Sequence, residues 1–123
     1  MEWMLDHVSL LVSDVIRARN FYEQVLGLVP SPLRPVMSFD GVWYDLNGVQ
    51  LHLLCLPNPE VGLARPLHGG RDRHVAFRVR NLDALCLRLQ THGVAYTLSQ
   101  SGRQALFCRD PDDNALEIML ARS

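Results

Sequence analysis

The chain has 123 residues, 48% of them hydrophobic and 20% charged, with a formal net charge of −1. That is one domain's worth of globular composition, with no charge excess to draw it to nucleic acid or an anionic membrane. No apolar run reaches the ~18–20 residues that span a bilayer, and MEWMLDHVSL lacks the basic-then-apolar order of a signal peptide, so a cytoplasmic protein is expected.

All twelve positive charges are arginine, which removes lysine Schiff-base chemistry and a P-loop lysine. The three cysteines, Cys55, Cys86 and Cys108, are odd in number and without CxxC spacing, and read as reduced thiols.

In chain order, residues 6–12 (DHVSLLV) form a short apolar run carrying His7. Ser13 or Asp14 can cap a helix in which Val15, Ala18, Phe21, Tyr22 and Val25 recur at helical spacing, and Gly27 ends it. Three strand-like runs follow, 34–39, 42–46 and 49–55. The hairpin dipeptides Asp40-Gly41 and Asn47-Gly48 separate them. A Pro/Gly-rich stretch, LPNPEVGLARPLHGGRD, is too long for a tight turn and reads as a linker or a functional loop.

Residues 73–79 (RHVAFRV) then repeat the opening run, with His74 at the place of His7. Asn81 can cap a second helix carrying Leu82, Leu85, Cys86 and Leu89, which ends at Gly93. Runs at 94–99, 103–109 and 115–120 follow, divided by Ser101-Gly102 and by Asp110-Pro111-Asp112-Asp113-Asn114. The plan is an α+β fold of two βαβββ modules with curved sheets forming a metal-binding cleft: module one 1–56, linker 57–72, module two 73–123.

Side chains alternate across a strand. His7 and His74 occupy equivalent first strands, and the alignment of Gln50-Leu51-His52-Leu53 with Ala115-Leu116-Glu117-Ile118 makes His52 and Glu117 equivalent on the last. Glu117 lies between two apolar residues, and a buried carboxylate needs a cation or good donors. If the modules pack about a pseudo-twofold axis, the four groups can converge. Three imidazoles and a carboxylate suit Zn²⁺, Ni²⁺, Fe²⁺, Co²⁺ or Mn²⁺, and one divalent metal per site is expected. His68, in the linker, and His92, in the last turn of the second helix, are not expected to be ligands. Arg71, Arg103 and Tyr44 are candidates for binding substrate, Arg103 by pairing with an anionic group.

DHVSLLVSD, FYEQVLGL, RHVAFRV and FCRDPDDNALEI resemble the signatures of the vicinal-oxygen-chelate superfamily, the glyoxalase, bleomycin-resistance and extradiol-dioxygenase-like proteins. The resemblance covers essentially the whole chain. It implies a metal at the positions of His7, His52, His74 and Glu117, a small-molecule substrate that chelates it through adjacent oxygens, and Glu117 as ligand and proton carrier. It also implies a homodimer, in which His7 and His52 of one chain join His74 and Glu117 of the other. His52 departs from glyoxalase I, which typically has a glutamate there. Asp113 replaces the glycine common in the DPDG turn. A glyoxalase I-like lyase or isomerase is therefore expected. An extradiol-type dioxygenase, a fosfomycin-type thiol transferase and a metal-free module that sequesters a ligand are the alternatives.

Overall fold

The computed structural model describes residues 1–122. The chain is α+β, in two compact units, Met1–Val61 and Gly62–Ser123, divided within the Pro/Gly-rich stretch.

Unit one holds β1 (His7–Val12), helix α1 (Val15–Arg19), β2 (Gly41–Leu46) and β3 (Val49–Cys55). The sheet order is β1-β3-β2, with β1 parallel and β2 antiparallel to β3. A parallel pair needs a crossover, and the helix lies in that connection. Asp14 caps α1, its Oδ1 accepting from the Ile16 and Arg17 N–H groups at 2.9 and 3.1 Å. The helix then widens into a π-helical segment, Asn20–Val25, closed by the Leu26 N–H on the Phe21 carbonyl at 3.0 Å. It ends at Gly27, whose φ of 82° is the left-handed conformation a helix stop requires. Ala18, Phe21, Tyr22 and Val25 are buried along with Val42, Tyr44, Leu51 and Leu53 of the sheet.

Residues 34–39, expected as a strand, do not form one. Pro32 and Pro35 have no N–H to donate to a ladder. The segment is held by a side chain instead: Arg34 Nη2 donates to the Phe39 carbonyl at 2.7 Å, and the guanidinium lies over the Phe39 ring. The free side of β2 receives one bridge, Pro30 with Tyr44, and one N–H, from Ser31 to the Trp43 carbonyl at 2.7 Å. Asp40-Gly41 accordingly starts β2 rather than turning a hairpin. Gly41 is needed for closeness, since a Cβ there would run into the Leu53 carbonyl oxygen. Asn47-Gly48 does make the expected turn between β2 and β3, both residues at positive φ.

Unit two holds β4 (His74–Val79), α2 (Leu82–Thr91), β5 (Tyr96–Leu98), β6 (Ala105–Arg109) and β7 (Ala115–Leu120), in the sheet order β4-β7-β6-β5. The Asn81 side chain caps α2 by accepting from Ala84 N–H at 2.9 Å. Leu85 and Leu89 of the helix are buried, as are Leu106, Leu116 and Ile118 of the sheet. β5 and β6 are shorter than the runs 94–99 and 103–109 suggested. The turn between β6 and β7 is built on Asp110, whose Oδ1 accepts from the N–H groups of Asp112 and Asn114 at 2.9 and 3.0 Å.

Candidate functional site

β7 lies inside its sheet, beside β4 and β6, and Ala115, Leu116, Glu117 and Ile118 are buried. Glu117 is only 4% exposed. Its carboxylate is nevertheless partnered. Oε2 accepts from Arg103 Nη2 at 3.0 Å, and Oε1 lies 3.1 Å from His74 Nε2. The other nitrogen of that ring, Nδ1, is 2.8 Å from the Asp72 carbonyl oxygen. A carbonyl can only accept, so Nδ1 carries the proton. In the neutral ring Nε2 then presents a lone pair to a carboxylate oxygen. Two acceptors at that separation require a cation between them, either a proton or a metal ion.

Unit one brings His7 and His52 together. Their rings stack with centroids 4.2 Å apart, and the Trp43 ring stacks on His52 at 4.0 Å, directly across the ladder. His7 Nδ1 is 2.6 Å from the Asp6 carboxylate, which leaves Nε2 as the lone-pair nitrogen, as in His74. His52 is only 8% exposed and has a tautomer set by a relay. Gln50 Nε2 donates to Asp45 Oδ1 at 2.7 Å, so the Gln50 carbonyl faces His52 Nε2, 2.9 Å away, and accepts its proton. The lone pair of His52 is then on Nδ1. Burial lowers the His52 pKa and favours the neutral ring a metal ligand must be. The His7 and His52 planes are 16° from parallel, so their lone pairs run side by side. One ring must turn for both to reach a single ion.

The turn His68–Asp72 is strapped to the unit-two sheet. A short 3₁₀ segment, Gly69–Arg71, packs against Phe107, and a Cβ on Gly70 would stand 2.8 Å from His68 Nε2 and 3.0 Å from Phe107 Cζ. The Phe107 ring meets the rings of both His68 and His74 edge-on, at centroid distances of 4.7 and 5.3 Å. His68 Nδ1 is 2.8 Å from Thr97 Oγ1. Asp72 Oδ2 accepts from Arg65 Nε at 2.7 Å and from Arg109 Nη1 at 2.9 Å. Burial pushes this carboxyl up, but the two arginines outweigh that and hold it below the usual carboxylate range. Phe107, Asp72 and Gln50 were absent from the sequence-based site. Only Gln50 left a signal, its strand neighbourhood with His52.

Of the expected substrate-binding residues, Arg103 stands beside Glu117 and Arg71 is exposed on the strap. Tyr44 is elsewhere: it is 0% exposed, its ring stacks with Tyr22, and its hydroxyl donates to Glu23 at 2.9 Å. That gives it a place in the core of unit one, with its polar atom already engaged, rather than on a binding surface.

The sequence profile of the Glyoxalase/Bleomycin resistance protein/Dioxygenase superfamily matches residues 4–118. The chain belongs to this superfamily. Within it, the chain is 33% identical over 119 residues to Glyoxylase I 4 of Arabidopsis thaliana, covering 93% of this chain and 68% of that protein. The glyoxylase/bleomycin resistance protein/dioxygenase domain from Frankia sp. EAN1pec superposes with a TM-score of 0.75 at 27% identity, over 99% of this chain and all of that one (100%). Lactoylglutathione lyase from Agrobacterium tumefaciens shares the fold, with a TM-score of 0.69 at 19% identity over 98% and 96% of the two chains.

Superfamily members often use a divalent metal, and the donors here suit one. His7 Nδ1 is held by the Asp6 carboxylate and His74 Nδ1 by the Asp72 carbonyl, which leaves Nε2 of each ring as the nitrogen that would take a metal. Within each unit, among the described residues, no three His, Cys, Asp or Glu side chains group to hold an ion.

Proposed function

We propose that the chain is a divalent-metal-dependent lyase or isomerase of the glyoxalase I type, acting on a small substrate that chelates the metal through adjacent oxygens. The ligands are His7 and His52 from unit one and His74 and Glu117 from unit two, with Zn²⁺, Ni²⁺, Fe²⁺, Co²⁺ or Mn²⁺ as the ion and a homodimer as the assembly. The observation that carries this reading is His74 Nε2 held 3.1 Å from a buried carboxylate, with the Nδ1 of the same ring engaged by the Asp72 carbonyl. The 33% identity to Glyoxylase I 4 supports the reaction type.

When bound, the ion would supply Lewis-acid stabilisation of negative charge developing on substrate oxygens. The chain's own residues do the rest. Glu117 takes a proton from one substrate carbon and returns it to the adjacent carbon, while the hydroxyl proton passes from one substrate oxygen to the other, so the isomerisation balances without a co-reactant. Arg103, on Oε2, compensates the carboxylate's charge between transfers. His52 stands where glyoxalase I typically has a second carboxylate, so Glu117 handles both transfers. The test is turnover of a thiol–methylglyoxal adduct by metal-loaded protein, abolished in Glu117→Gln. Absence of turnover with every common thiol would sink the lyase reading.

The stack of Trp43, His52 and His7 favours one other reading, a metal-free module that sequesters a planar ligand. The stack ends in the outer faces of Trp43 and His7, on which a flat ligand can lie. Protein purified without chelators that contains no divalent metal would favour this reading over the lyase.

A further inference from the structure

Arg34 carries a charge that the proposed chemistry does not use. Its guanidinium is half-buried on unit one and held by two contacts with Phe39. Nη2 donates to the carbonyl at 2.7 Å, and the group lies 5.7 Å from the ring centroid. Among the described residues no carboxylate is ion-paired with it, and the rest of its fork of donors is unengaged. Gly41 sets where the group lies. A Cβ there would stand 3.1 Å from Arg34 Nη2 and 3.3 Å from Nε, so the guanidinium rests on bare backbone at the start of β2. Gly41 and Trp43 alternate with Val42 along β2 and so share a face of the sheet, and Trp43 stacks on His52. Burial is the main cause that holds the His52 pKa down, and the Arg34 charge adds to it, which places the guanidinium within electrostatic reach of that ring.

We infer that Arg34 is a specificity residue, which anchors the carboxylate of a small acid on the His52 face of the unit-one sheet. A half-buried guanidinium gives up hydration, and one carbonyl and one ring return only part of it. A ligand carboxylate supplies the rest, because its two oxygens match the planar fork. One guanidinium offsets one negative charge, so a carboxylate suits it better than a phosphate monoester, which carries nearly two. Asp6 and Asp45, which hold His7 and Gln50, add repulsion against a second charge. The outer face of Trp43 gives the body of the acid a flat apolar surface. An arginine that served only to pin residues 34–39 would affect acids and their neutral counterparts alike, and that difference is what the test reads.

That the acid is the substrate rests on the proposed lyase; the carboxylate site itself does not. The binding test uses the full chain without added metal, with benzoate as probe and benzamide as its neutral counterpart of the same shape. The Trp43 indole N–H resonance of ¹⁵N-labelled protein follows binding. Trp3, the other of the two tryptophans, is exposed near the N-terminus and serves as control. The wild type is expected to bind benzoate about 10-fold more tightly than benzamide, the effect of a charge-assisted hydrogen bond at a half-buried site. Arg34→Gln is expected to remove the preference and leave benzamide binding in place. Should Arg34→Gln fail to fold, Arg34→Lys decides, since it keeps the charge without the fork. A reduced preference supports the anchor, and an undiminished one refutes it. A wild type that binds no benzoate at millimolar concentration or shows no preference would overturn the inference. So would an equal loss of both probes in Arg34→Gln. Turnover by metal-loaded protein then separates the two claims. The methylglyoxal adduct of mercaptoacetate is expected to have a lower KM than that of mercaptoethanol, and Arg34→Gln to level the two with kcat little changed. Equal KM values in the wild type would overturn Arg34 as a specificity residue. A protein that prefers benzoate but turns over neither adduct would remove the lyase and leave the carboxylate site standing.

Discussion

Asp113 has a φ of 63°, in the left-handed region where a side chain costs conformational energy. Its main-chain carbonyl accepts from Arg109 Nη1, so the position matters through its backbone. Glycine reaches this conformation without the Cβ penalty, at the expense of a more flexible unfolded chain. Asp113→Gly is therefore expected to leave the β6–β7 turn intact and raise stability by at most about 1 kcal/mol, read as a shift in the urea midpoint. A loss of more than that would mean the carboxylate has a role of its own. Single residues also show where sequence reading reaches its limit. Glu117 announced itself, because a carboxylate on a strand that otherwise looks buried needs a cation or good donors. Tyr44 did not, because a tyrosine on a strand reads equally well as a core ring or a ligand contact. Only the distant Glu23, opposite its hydroxyl, decides between them. Asp72 was invisible as a partner of Arg109, 37 residues away in the chain.

Between elements, Glu23 is the polar fastening of helix to sheet in unit one. It sits in the π-helical segment, accepts from Arg19 Nε at 2.7 Å one turn earlier and from the Tyr44 hydroxyl of β2. Burial raises its carboxyl's pKa, but the hydrogen bonds from Arg19 and Tyr44 prevail and hold it below the ordinary value. The unfolded chain then binds the proton more readily than the folded one. The stabilisation is complete above the unfolded value of about 4.3 and is lost as pH falls through the lower folded value. Glu23→Gln cannot titrate. Its stability deficit against wild type is expected to be largest at neutral pH and to shrink toward about pH 3, measured by urea unfolding at both. A deficit independent of pH would show that the fastening is not ionic. Local chemistry made most elements legible: Asp14 and Asn81 as caps, Asn47-Gly48 as a turn, Gly27 as a stop. The exceptions have non-local causes. The run 34–39 has strand-like composition but lacks a ladder partner, and Arg34 folds it back on Phe39 instead. The widened helical turn at Asn20–Val25 shows in no periodicity, since Ala18, Phe21, Tyr22 and Val25 fit either winding.

At the scale of the whole molecule, a duplicated module explains why each unit carries only a pair of donors. Neither His7 with His52 nor His74 with Glu117 makes a tight site alone, because two protein ligands leave most of the coordination sphere to water. If one ion takes all four, binding couples the units, and the free energy of binding becomes stability of both. Saturating metal at 100 times its dissociation constant would add about 2.7 kcal/mol. The expected result is a single rise in melting temperature on adding Zn²⁺, reduced by His52→Ala and by Glu117→Ala alike, although the two residues lie in different units. That symmetry is what separates four donors from two. A rise that survives His52→Ala unchanged but disappears in Glu117→Ala would confine the ion to unit two, with Arg103 then competing for the same carboxylate. His7 and His52 would then stand only in the stack with Trp43.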